Sequence, residues 1–139
     1  MNISVRFPAL AIAAALLSVA VPARGAAQVA ELPAYAYDMV AEVSMATTAD
    51  LKCRGMGART KKLEERIVAL YRRLAADGIS VQDAVAHLQG VEARAQIATR
   101  EAALRARHGV EAQGDAALCA AIRAEAEENE ALAELLRIR

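Results

Sequence analysis

Between Lys61 and Leu74, the apolar residues Leu63, Ile67, Leu70, Tyr71 and Leu74 fall within about 100° of one another on a helical wheel. Lys61, Lys62, Glu64, Glu65, Arg66, Arg72 and Arg73 occupy the remaining arc. The pattern predicts a one-faced surface helix that ends near Asp77, with Gly78 where a left-handed C-terminal residue is expected. Ser80 then opens an S-x-x-D variant of a capping box with Asp83, which starts a short helix carrying Val81, Ala84, Val85 and Leu88. Gly90 breaks or bends it. Before these two, an extended lead from Gln28 to Pro33 runs into a helix over roughly Tyr35 to Ala49, with Met39, Val40 and Val43 inward. After them, Val91 to His108 carries a small-residue stripe of Val91, Ala95, Ala98 and Ala102, while Ile97, Leu104 and His108 lie on another side. Such a helix packs on two neighbours. Gly109 closes it, and Asp115 is the expected N-cap of a final helix whose apolar face holds Leu118, Cys119, Ile122, Leu132, Ala133 and Leu136. No segment reads as a strand. The fold expected is all-α, a small irregular bundle of about five helices.

The chain ahead of this bundle has a different pattern. Met1 to Phe7 carries one charge, Arg6, and Pro8 to Val21 carries none, which is the layout of a signal peptide. An uncharged run this short falls below the roughly twenty residues a helix needs to span a bilayer. The expectation is therefore a leader over residues 1–27, removed after Ala27, with Gly25 as the other candidate cut, and a single helical domain over 28–139. No integral membrane segment would remain, and the location expected is periplasmic or secreted.

Cleavage would delete Arg6 and Arg24 from seventeen Lys plus Arg, and none of the seventeen Asp plus Glu, leaving a formal charge of minus two. A near-neutral, charge-mixed chain lacks the basic field that binding many phosphates requires, so nucleic acid is excluded as the expected partner. Alanine is abundant, and Tyr35, Tyr37 and Tyr71 are the aromatic residues outside the leader. The helices can bury shallow stripes, not a large core. That gives the two cysteines their meaning. An exported chain meets oxidising conditions, and an even pair without a CxxC spacing reads as one structural bridge, Cys53 to Cys119, before a reactive thiol or a metal pair.

The segment from Cys119 to Arg137, CAAIRAEAEENEALAELLR, resembles the closing segment of a family of small exported two-cysteine, all-α proteins of unknown function from alphaproteobacteria. The resemblance extends upstream. Gly78 to Asp83 stands where that family has a G-Y-S-x-x-E-I helix start, and Arg107, His108, Gly109 and Val110 stand at its Gly-Val helix end. Cys119, Arg123, Ala124, Glu125, Asn129, Leu135, Leu136 and Arg137 fit its last motif. The chain departs from the family in lacking an aromatic residue in the third helix, in having Val for Ile, and in a Gly55 to Gly57 segment expected to be flexible. The resemblance implies export, a helical fold and a paired Cys53 and Cys119. It implies no catalytic residue.

Candidate chemistry narrows to one place. Glu125 and Asn129 sit one helical turn apart on an otherwise apolar face, where polar groups must find partners. Either they line a polar site with Arg123 or Arg59 beside it, or Glu125 takes an arginine from a neighbouring helix while Asn129 caps a loop. The second arrangement is expected, because buried polar groups are normally paired within the fold. His87 and His108 lack the i, i+4 spacing of helical metal ligands, and the acidic cluster of Glu125, Glu127, Glu128, Glu130 and Glu134 reads as a mostly solvated face, so no metal is expected. No phosphate loop, nucleophile elbow or cofactor motif is present. Nothing marks an enzyme. Two functional readings follow: an interaction or structural module contacting another envelope protein through residues such as Leu135 and Ile138, or a small-ligand binder or unorthodox enzyme using the Glu125 and Asn129 region. Oligomeric state is not legible.

Overall fold

The computed structural model describes residues 31–139 apart from residue 111, so the expected leader and its cleavage site lie outside the described residues. The architecture is all-α, and the described residues form six helices, two short strands and one disulfide: α1 (Ala34–Lys52), β1 (Met56–Ala58), α2 (Thr60–Ala76), α3 (Val81–Leu88), α4 (Val91–Arg107), α5 (Asp115–Glu128), α6 (Glu130–Leu135) and β2 (Leu136–Ile138). Two expectations are corrected. Strands exist, and the final helix is two.

The long first helix forms because nineteen residues pass without glycine or proline and alanine recurs through them. Its buried positions are mostly small, Ala36, Ala41, Ala46 and Ala49, flanking Tyr37 and Met39, so neighbouring backbones come close to it on several sides. α2, α4, α5, α6 and β1 all touch α1. It ends where Cys53 turns extended, at φ −105° and ψ 111°.

Two clusters of buried residues lie along this helix. One holds Leu32, Ala36, Tyr37, Met39, Leu70, Leu74, Ala84 and Ala93, contributed by the start of α1 with α2, α3 and α4. The other gathers Ala46, Ala49, Cys53 and Met56 from the end of α1 and β1 with Leu104, Leu118, Ile122, Leu132, Leu135 and Leu136 from the chain's last third. The amphipathic face of α2 is narrower than its wheel suggests. Leu70 and Leu74 are buried, Leu63 and Tyr71 are half-buried, and Ile67 is exposed. On that turn Arg66 reaches Glu42 of α1 instead, and the ion pair occupies the space beside the helix.

Glycine and serine close the local structure as expected. Gly78 (φ 80°) and Gly109 (φ 65°) are left-handed beyond α2 and α4. Ser80 Oγ accepts the Asp83 amide at 3.1 Å and donates to Asp83 Oδ2 at 2.7 Å. The α5 N-cap is Gly114, one residue before the expected Asp115, which is helical and meets Lys52 Nζ at 3.0 Å.

β1 and β2 pair antiparallel, with Met56 opposite Ile138, Gly57 opposite Arg137 and Ala58 opposite Leu136. The segment expected to be flexible is thus tied down on both sides. The Arg139 amide donates to Gly55 O at 2.8 Å, the Arg59 amide to Leu135 O at 2.8 Å, and the Ala58 amide to Asp50 Oδ1 at 2.9 Å. One face of this ribbon, with Met56, Ala58 and Leu136, is buried. Three-residue strands give too short a run for period-two alternation to register.

Candidate functional site

Cys53 and Cys119 form one disulfide, with Cα atoms 5.5 Å apart, and no cysteine is free. It joins the C-cap of α1 to the second turn of α5. Lys52 and Asp115 meet beside it, an exposed pair that adds little stability of its own.

Two turns further along α5 lies Glu125, only 5% exposed and the one buried charged residue among those described. Three residues converge on its carboxylate. His108, at the end of α4, places Nε2 2.8 Å from Oε2, and the adjacent Arg107 brings Nη2 to 3.4 Å of the same oxygen. Asn129 donates from Nδ2 to Oε1 at 3.3 Å. Burial pushes the Glu125 pKa up, but the hydrogen bonds from His108 and Asn129 and the charge of Arg107 outweigh it and hold the carboxyl below its ordinary value. Glu125 is therefore ionised near neutrality and can only accept, which assigns the proton of this contact to His108 Nε2.

Asn129 differs from its expected placement. It does not continue the helix: at φ −112° and ψ 98° it is both the C-cap of α5 and the N-cap of α6. Its amide donates to the Glu125 carbonyl at 2.8 Å, and its Oδ1 accepts the Leu132 amide at 3.1 Å. One side chain thus ends one helix, starts the next and holds a buried carboxylate. Capping by Asn is favoured because its short side chain reaches the free amides of a first turn. The break turns α6 so that Leu132 and Leu135 face the core, and Leu135, expected as an exposed contact, is 2% exposed. Ile138 is exposed at 42%.

Arg123 does not join this network. It lies on the other side of α5, with Nη2 beside the ribbon, 3.9 Å from where a Cβ on Gly55 would stand. Arg59 is exposed at the start of α2 and is not a partner of Glu125 either. The partner absent from the sequence reading was His108. Its role depends on Gly109 ending α4 against α5, a tertiary juxtaposition that no local spacing encodes.

Residues 28–137 match the sequence model of a family described as a family of unknown function, DUF5333. The chain belongs to DUF5333. The DUF5333 region takes in both cysteines, the Glu125 network and every helix among the described residues. No curated protein and no solved structure matches the chain. Both Glu125 oxygens are engaged by the chain itself, so the arrangement clamps α4, α5 and α6 together.

Proposed function

We propose that this DUF5333 chain is an exported, extracytoplasmic helical module that acts by contacting another envelope protein. The observation that carries the reading is the Cys53–Cys119 bridge, a link compatible with an oxidising, extracytoplasmic compartment. The leader pattern over residues 1–27 supports the same location. No helix among the described residues is long and apolar enough to cross a membrane. Exposed apolar side chains, Leu51 and Val91 at the ends of α1 and α4 and Ile138 on β2, are the contact points offered to a partner.

The other reading, a ligand or reaction site at Glu125 and Asn129, has less support because the polar atoms there are already bound to one another. Fractionating cells that produce the full-length chain tests the proposal. The expected product lacks residues 1–27, is found outside the cytoplasm, has no titratable thiol when denatured without reductant, and crosslinks to an envelope protein. An uncleaved cytoplasmic chain with two reactive thiols overturns it.

A further inference from the structure

The outer face of the β1–β2 ribbon has an unusual composition. Residues directly opposite in an antiparallel pair project to the same side, so Gly57 and Arg137 share this face. Two residues along each strand the pattern repeats, with Gly55 joined to Arg139 through the Arg139 amide. One strand therefore presents bare backbone where the other presents guanidinium groups. Arg123 of α5 adds a third, its Nη2 3.9 Å from the Cβ position of Gly55.

A cavity of about 240 Å³ is lined by Asp50, Gly55, Met56, Gly57, Arg137 and Arg139, with Arg123 beyond Gly55 at its edge. One carboxylate also faces it, that of Asp50, whose Oδ1 takes the Ala58 amide, and the Arg139 main-chain oxygen stands 3.5 Å from the Gly55 Cβ position. Among the described residues none of the three arginines makes an ion pair, although Arg66, Arg100, Arg105 and Arg107 elsewhere all do. Arg137 is oriented by donating from Nη2 to Ala58 O at 3.1 Å, which leaves its other N–H groups free. Three guanidinium groups against the single Asp50 carboxylate leave this face net positive, and like charges gathered on one face repel. An anion seated between them removes that repulsion, and the planar forks of arginine suit the paired oxygens of a phosphate or carboxylate.

We propose that this glycine-floored pocket is a binding site for a small oxyanion, a phosphate or carboxylate group carried on a ligand. The proposal is independent of export and of any protein partner. The glycines make it testable without dismantling the fold. A Cβ at Gly57 would stand 3.4 Å from Asp50 Oδ1 and 4.0 Å from Arg137 Nε, ordinary contacts that fill the cavity floor, whereas Gly55 at φ 79° tolerates no side chain without strain.

The test is titration of the disulfide-intact chain with inorganic phosphate, followed by the amide NMR shifts of residues 55–58 and 137–139. Saturable shifts at these amides are expected, with affinity about tenfold weaker in Arg137→Gln, through the loss of one charge-assisted contact, and weaker likewise in Gly57→Ala, through the filled cavity floor. Melting temperatures of both variants confirm that they fold. Acetate in a parallel titration separates the ligand classes: shifts at the same amides admit carboxylates, and shifts with phosphate alone restrict the site to phosphate. The inference is overturned if chloride at matched ionic strength gives the same shifts, if no shift saturates, or if both folded variants bind phosphate as tightly as the parent chain.

Discussion

The two buried clusters along α1 share a helix but are held in different ways. The cluster of Leu32, Tyr37, Leu70, Leu74, Ala84 and Ala93 has no covalent link and no buried charge. Its polar contacts lie at the rim: Tyr37 Oη shares a 2.6 Å hydrogen bond with His87, and Arg100 stands over the Tyr37 ring while its Nε meets Asp38 at 2.7 Å. The other cluster joins segments distant in sequence and adds a disulfide, a buried carboxylate network and a strand pair. Closing long loops costs conformational entropy. The cross-links are concentrated where that cost is greatest.

The largest expected effect follows from removing the bridge. The Cys53→Ala, Cys119→Ala double variant frees a loop of 66 residues, which in the chain-entropy model costs about 4 kcal/mol. Hydrogen exchange should show α5 and α6 losing protection ahead of α2 and α3, and equal loss in both halves would remove the distinction between the clusters. Next, Leu74→Ala, at a site with no exposure, should cost about 3 kcal/mol by denaturant melting. Because Leu74 belongs to the other cluster, that cost should be the same with the bridge reduced; a changed value would show the two to be coupled.

Smaller effects probe the polar contacts. Asn129→Ala removes a helix cap and a donor to Glu125 together and should cost about 2 kcal/mol, so an unchanged melting temperature would contradict its double role. The acid limb of stability carries the same network. The folded pKa of Glu125 is lowered, so its contribution is complete above the unfolded value of about 4.3 and disappears as pH falls through the folded one. Glu125→Gln should flatten that limb, and an identical acid profile would exclude the carboxylate as its source. Tyr37→Phe, smallest of the set, should cost about 1 kcal/mol through the lost contact with His87.

The same contrast marks what the sequence made legible. Helix ends at Gly78, Ser80, Gly90 and Gly109 were readable because each depends on a few adjacent residues. The bridge was readable because two cysteines leave one intramolecular pairing. The ribbon and His108 were not, since each depends on a partner far along the chain. Asn129 shows a third kind of limit. Its neighbours Glu128 and Glu130 favour helix, and the capping of Leu132 together with the burial of Leu132 and Leu135 overrides the propensity that suggested one continuous helix.

The order in which residues leave the ribosome gives the two clusters different schedules. All the buried residues of the first have emerged by Ala93, and that half can settle while synthesis continues. The second waits for Leu136, and Cys53 meets its only thiol partner after 66 more residues have followed it. For that interval Cys53 is an open nucleophile on a half-folded chain, and an oxidant that acts too early can join it only to another molecule. The spacing of two cysteines thereby sets a timing requirement on the machinery that oxidises them.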